Sequence, residues 1–327
     1  KDIMGKKDIV LSIIGLLISI TLIYFTFKDF DFKSTLFVIK NMKIKFIFLF
    51  FISTFMEIAF RTLKWYLIIL PSKKTDFIKL FKFEVISLGI NNILPFRMGE
   101  LSKMFLLSKS YSLSKTTALS TVFVERLLDT LILFTLFLIY SSIGTINLGI
   151  NRDFILITLF AVIISIFILF IYIENIINTS LLTNVSKKYP KIYEIIIKIK
   201  NGGRCFKNPL ILILTLLSGL IQWNFDVLNN FLIAKSMQIN LDYFKAAITV
   251  FAGSISASIP SMPGYFGNYE YAISRVMIIW GFDKNISVLF PTVIHILTYI
   301  IITTTAMFFI STEIKNIKNI FNKLRSK

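Results

Sequence analysis

A succession of apolar runs, each long enough to cross a bilayer, constrains this chain more than any other feature. They are Ile9 to Phe27, Ile44 to Leu70, Thr116 to Tyr140, Phe154 to Ile173, Pro209 to Ala234 and Ile286 to Ile310. A helix of about 20 residues crosses the roughly 30 Å hydrocarbon core. No water reaches that depth, so each crossing segment must satisfy its own N–H and C=O groups, which a helix does alone. With 55% hydrophobic residues and 34 phenylalanines among 327, the chain is too apolar for a soluble domain. The expected fold is an all-α polytopic membrane protein with about six transmembrane helices. The run Ile9 to Phe27 lacks a small-residue cleavage site and reads as a retained span rather than a removed signal peptide.

The formal charge of +18 does not point to nucleic acid. The lysines sit in the short connections and at the C-terminal end, which is the positive-inside pattern and suits anionic phospholipid headgroups at the basic loops. Residues 174–208, with Lys187, Lys188, Lys191, Lys198, Lys200, Arg204 and Lys207, form the clearest cytosolic loop, and its Tyr193 to Lys200 portion reads as an interfacial helix. Ser141 to Asp153, the least basic connection, belongs outside. The lysine-rich 28–45 connection reads as a short amphipathic interfacial helix on the outer side. This threading gives a multi-pass protein of the cell membrane with both termini cytosolic. The single cysteine, Cys205, excludes an intrachain disulfide and fits a reducing cytosolic loop. One histidine and no CxxC or HExxH spacing leave no metal site, and no cofactor is expected.

Two stretches break the apolar pattern. Asn91-Asn92-Ile93-Leu94-Pro95-Phe96-Arg97-Met98-Gly99-Glu100 packs two amides, a proline, an arginine, a glycine and a glutamate into ten residues. Ser254 to Glu270 carries Pro260, Pro263, Gly264 and Gly267. Proline removes a backbone donor and clashes with the preceding turn, and broken backbone survives at membrane depth only against protein or a water-filled cavity. In both stretches a proline is followed four residues later by glycine: Pro95 by Gly99, Pro263 by Gly267. The flanking apolar segments are too short to span, so residues 77–110 and 243–281 read as two re-entrant hairpins. Residues 44–140 (repeat A) and 209–310 each read span, hairpin, span, with opposite orientation, which makes an inverted repeat. The whole chain 1–327 is then one integral membrane domain. It comprises a first span and interfacial helix (1–43), repeat A, a connecting span and basic loop (141–208), and repeat B with a basic tail (209–327).

Charges within the spans need partners, because an ionised carboxylate at mid-membrane costs roughly 2.5–3.5 kcal/mol. Glu57, Arg61, Lys64 and Trp65 share a helical face; Lys64 and Trp65 read as edge anchors, and Arg61 as the partner of Glu57. Arg126 and Asp129 are three apart and can pair. Glu125 and Asp129 would repel, so Glu125 is expected to look toward Arg97. Gln222, Asp226 and Asn230 repeat every four residues and must face protein or water. His295 lies one turn after Pro291 and one before Tyr299.

Leu94-Pro95-Phe96-Arg97-Met98-Gly99-Glu100 followed by Val124-Glu125-Arg126-Leu127-Leu128-Asp129 resembles the paired signature of the lysylphosphatidylglycerol synthase transmembrane (flippase-like) family. Ile259 to Glu270 resembles that family's Pro-x-x-Pro-Gly-Gly-x-Gly-x-x-Glu pattern, and Arg61 to Trp65 its basic-aromatic second span. The resemblance covers nearly the whole chain. It implies the membrane half of aminoacyl-phospholipid synthase/flippases, or their stand-alone relatives, which are thought to move lipids or lipid-linked intermediates between leaflets. A stand-alone member without the aminoacyl-transferase domain is the expectation. Tyr265 stands where the pattern has its second glycine, and His295 where an arginine is expected.

The functional expectation is a translocator of a phospholipid or polyprenyl-phosphate-linked lipid, with the headgroup held between the two hairpin tips. Helix N-termini with open amides there would suit phosphate, and Arg97 could grip it bidentately. The candidate substrate-binding residues are Asn91, Asn92, Arg97, Glu100, Glu125, Arg126, Asp129, Asp226, Glu270 and His295. Pro95, Gly99, Pro260, Pro263, Gly264 and Gly267 supply the backbone breaks. An embedded transferase or phosphatase on lipid phosphates is the alternative, as is an ion-coupled small-solute transporter. No Asp-x-x-Asp or Lys/Arg–Ser–His signature supports an enzyme, so no catalytic residue is assigned. Headgroup, direction, coupling ion and whether the chain forms a homo-oligomer stay open.

Overall fold

Every regular element among the described residues is helical, as the apolar runs require. The computed structural model describes residues 6–94, 97–143, 157, 190, 203–259 and 261–325. The ten α-helices among them are α1 (Lys6–Phe27), α2 (Phe32–Lys40), α3 (Ile44–Ile69), α4 (Phe77–Ile93), α5 (Met98–Tyr111), α6 (Lys115–Ile143), α7 (Pro209–Ser236), α8 (Tyr243–Ser256), α9 (Asn268–Ile279) and α10 (Lys284–Arg325). Short 3-10 turns cover Gly203–Lys207 and Pro263–Tyr265. The expected spans at 9–27, 44–70, 116–140, 209–234 and 286–310 correspond to α1, α3, α6, α7 and α10. The expected span Phe154 to Ile173, most of the 174–208 loop, and the prolines Pro95 and Pro260 lie outside the described residues.

Ile44–Ile69, Pro209–Ser236 and Lys284–Thr312 are long and apolar enough to cross a membrane. By contrast α4, α5, α8 and α9 have 17, 14, 14 and 12 residues. At about 1.5 Å per residue each falls short of the roughly 30 Å core. The chain is interrupted between them where the proline/glycine stretches lie, and in the first unit the short helices double back.

The chain forms two compact units: one of Lys1–Phe55, Lys82–Ser102 and Asp226–Lys327, the other of Met56–Phe81 and Lys103–Phe225. Helices α3, α4, α5 and α7 contribute residues to both.

In the first unit α10 is the element that the others follow. Asn92 Nδ2 donates to Thr303 Oγ1 at 3.0 Å while Gly89 lies against Ala306, so α4 runs antiparallel to α10. Phe266 packs near Tyr299 (5.4 Å between centroids) and Glu270 meets His295, so α9 is also antiparallel to α10. Asp29 and Asp31, both within the α1–α2 turn, reach Lys284 (3.3 Å) and Asn285 (2.9 Å, through the Asp31 backbone N–H) at the start of α10. Asp31 caps α2, and the backbone N–H of Lys33 holds its carboxyl below the ordinary value. Two glycines close the reversals: Gly99 of α5 abuts the Ser87 carbonyl of α4, and a Cβ on Gly253 of α8 would come within 2.5 Å of the Tyr269 ring on α9. Lipid is as apolar as leucine, so helices in it associate through such close small-residue contacts rather than by expelling water.

In the second unit Tyr111, at the end of α5, receives the Asp76 backbone N–H at 2.9 Å and lies under the Lys79 ammonium. The start of α4 and the end of α5 therefore lie together. Ile68, Val124, Leu128 and the buried Cys205 form an apolar cluster in the same unit.

Gly99→Ala is expected to lower thermal stability in detergent by about 1–3 kcal/mol, because the added methyl drives into fixed backbone. Gly281→Ala is the comparison. It has open space around a Cβ and bears only the left-handed backbone penalty of about 1–2 kcal/mol. Equal stability of Gly99→Ala and the parent would contradict the close approach.

Candidate functional site

The two breaks meet within the first unit. Arg97 opens α5 with φ +52 and Tyr265 closes the second 3-10 turn with φ +63, both in the left-handed region. Each stands two residues after the proline of its stretch, Pro95 and Pro263. Left-handed backbone costs a non-glycine residue about 1–2 kcal/mol, and such strain persists only where the surroundings impose it. Here the strained residues touch: the Arg97 guanidinium lies 5.7 Å from the Tyr265 ring centroid. Arg97 also donates to the Ala257 carbonyl at 3.1 Å and approaches Glu100 at 3.7 Å, with 35% of its side chain exposed. A Cβ on Gly264 (φ +71) would lie 3.2 Å from the Asn92 carbonyl, so the second stretch passes directly over the end of α4.

Two neighbouring polar side chains are committed to the backbone at these helix starts. Asn91 Oδ1 accepts the Gly99 N–H at 2.8 Å, filling an orphan donor of α5. Glu270 Oε2 accepts the Gly267 N–H at 2.7 Å, while Oε1 lies 2.5 Å from His295 Nδ1. His295 stacks on Phe266 (4.4 Å, 24°) and leans on Tyr269. Of the amides expected to receive phosphate at these helix starts, two already have side-chain acceptors. Asn91 takes the Gly99 N–H and Glu270 the Gly267 N–H, since an unpaired buried N–H is costly to leave. Arg97 is the partly exposed donor that this geometry offers.

Glu125, Arg126 and Asp129 lie in the second unit, in a buried ionic chain across α3, α5, α6 and α7. Lys64 Nζ donates to the Asp129 carboxylate, donates to Gln222 Oε1 at 2.6 Å, and stands 4.0 Å from Glu125. Lys103 Nζ donates to Glu125 Oε2 at 2.6 Å and sits 4.1 Å above the Trp65 ring. Asp129 also accepts from Trp223 Nε1 (3.2 Å) and faces Arg126 at 3.5 Å, the pairing read from their spacing. Arg61 is near enough to act electrostatically on both Lys64 and Asp129.

Two expectations fall. Glu125 pairs with Lys103 rather than Arg97, because α5 carries that ammonium straight to it while Arg97 is held at the break. Lys64 and Trp65 are fully buried, not edge anchors; the carboxylates of α6 and Gln222 draw the lysine inward, and Trp65 Nε1 donates to Thr121. Sequence reasoning missed Lys103 altogether. Its signal was a lysine set among apolar residues in Leu101-Ser102-Lys103-Met104-Phe105. The polar stripe of α7 faces protein at both ends: Gln222 meets Lys64, and Asn230 accepts from Thr249 at 3.2 Å in the first unit. Asp226, between them, is half-buried, and its carbonyl accepts from Asn230 Nδ2.

Among the described residues every regular element is helical, three helices are long and apolar enough to cross a membrane, and charges lie buried between helices; this is an integral membrane protein. The chain belongs to the lysylphosphatidylglycerol synthase transmembrane-region family, whose model matches residues 12–306. It is similar to a UPF0104 membrane protein of Methanocaldococcus jannaschii, 25% identical over 197 residues, covering 60% of this chain and 82% of that protein. No solved structure matches it.

Lys64→Met should lower thermal stability by about 3–5 kcal/mol, the usual consequence of stranding a buried partner. Adding Asp129→Leu should restore much of it in a double-mutant cycle; strictly additive losses would argue against the pair. Tyr265→Gly should leave stability unchanged or higher, since relief of about 1–2 kcal/mol of backbone strain outweighs the roughly 0.5–1 kcal/mol of a partly exposed cation–π contact. A clear loss of stability would contradict that balance.

Proposed function

We propose that this protein moves a lipid bearing a phosphate headgroup, a phospholipid or a polyprenyl-phosphate-linked lipid, between the two leaflets of the cell membrane without chemical change. The observation that carries the reading is Arg97. It is a strained, partly exposed arginine at a helix break, with an aromatic ring on one side and a neighbouring break's carbonyl within reach. A guanidinium offers two parallel hydrogen bonds to a phosphate, where a lysine offers only a point charge. Glu100 restrains it, and the Asn91, Asn92, Glu270 and His295 contacts hold the backbone around it.

On this reading 77–110 and 243–281 are re-entrant hairpins of opposite orientation within an inverted repeat, alongside about six transmembrane helices. The antiparallel run of both α4 and α9 against α10 supports it. The entering arm of one hairpin and the returning arm of the other point the same way. Both termini are cytosolic, and the basic loops rest on anionic headgroups. The ionic chain of Lys64, Lys103, Glu125, Arg126 and Asp129 holds four helices together, and Asp226 belongs to the polar path on α7. Acyl or prenyl chains stay in lipid while the headgroup passes.

The test is leaflet-resolved scrambling of fluorescent phosphatidylglycerol and of polyprenyl phosphate in proteoliposomes containing only this protein. Arg97→Lys should retain its thermal stability while transport falls about tenfold or more, the worth of one charge-assisted hydrogen bond. Activity lost only in proportion to folded protein would overturn the assignment.

A further inference from the structure

Helix α1 lies outside both repeats, yet one of its few polar side chains is fully buried against the second break. Ser19 Oγ accepts the backbone N–H of Met262 at 2.9 Å and lies 3.4 Å from Asn268 Oδ1, to which its hydroxyl can donate. Asn268 Nδ2 in turn reaches the Ser256 carbonyl at 3.5 Å, one of the orphan acceptors at the end of α8. A hydroxyl offers one donor and two acceptor sites, so this single serine links both lips of the break to α1. A second contact makes the same point independently. Gly267 has φ +89, and a Cβ there would stand 2.6 Å from the Ser19 carbonyl and 2.9 Å from Ile23. Helix α1 therefore passes as close to the break as a glycine allows.

We propose that α1 is a strut for the second break and that Ser19 is a positioning residue of the headgroup site. Ala257 and Tyr265, which meet Arg97, lie on the two sides of Met262. Pinning the Met262 amide fixes the carbonyl and the ring that orient the guanidinium. The neighbouring Pro263 has no N–H of its own, so Met262 supplies the donor at the turn. Ser19 touches neither Arg97 nor, on the reading above on which this rests, the lipid phosphate; it acts through the backbone between them.

Two measurements on Ser19→Ala, in the full chain, test the inference. Hydrogen exchange in detergent micelles should quicken about fivefold at the Met262 amide, the worth of one ordinary hydrogen bond. Exchange in α7 should stay unchanged. Scrambling of fluorescent phosphatidylglycerol should fall in parallel, and Ser19→Thr, which keeps the hydroxyl, should recover both. Unchanged exchange at Met262 would overturn the strut, and quickened exchange with undiminished scrambling would overturn the positioning role. If the unsubstituted protein moves no lipid, the exchange result still decides whether α1 holds the break, and the failure belongs to the transport reading alone.

Discussion

Backbone groups opened between helices and buried must find partners within the protein, and both breaks are built around that constraint. Each interruption frees donors and acceptors that a continuous helix would have satisfied, and each is answered by a specific side chain. Asn91 answers for the start of α5, Glu270 for the start of α9, Ser19 for Met262 and Arg97 for Ala257. Three of these four are buried and engaged with backbone. Arg97 alone keeps about a third of its side chain exposed.

The second unit meets a different demand. Charges within apolar helices are tolerated when they alternate and when each has hydrogen-bonding company. Lys103, Glu125, Lys64, Asp129 and Arg126 alternate in sign, with Gln222, Trp65 and Trp223 completing the set. Because lipid gives helices no hydrophobic reason to associate, such a chain supplies the pairing specificity that an apolar core supplies in water.

Much of the fold was legible because its signals are local. Run length marked α1, α3, α6, α7 and α10, and the proline–glycine spacing marked both interruptions to within a few residues. Pairing was legible only within a helix: Arg126 with Asp129 follows from three-residue spacing. Partners between helices were not. Nothing near Glu125 in the sequence points to Lys103, and Lys64 beside Trp65 has the look of a membrane-edge pair until the facing carboxylates are known. Ser19 gave no signal, since a serine in an apolar span is ordinary. The left-handed Tyr265 could be sensed only through the glycine expected there, whereas that of Arg97 could not.

Helix α10 touches, in order along its length, the α1–α2 turn at Lys284 and Asn285, the second break at His295 and Tyr299, and α4 at Thr303 and Ala306. One helix thus holds three neighbours along its length. Glu270 and Asn92 take their positions from residues eight apart on the same helix, His295 and Thr303. The two breaks are therefore registered against one another twice, through this shared helix and through the Arg97–Tyr265 contact.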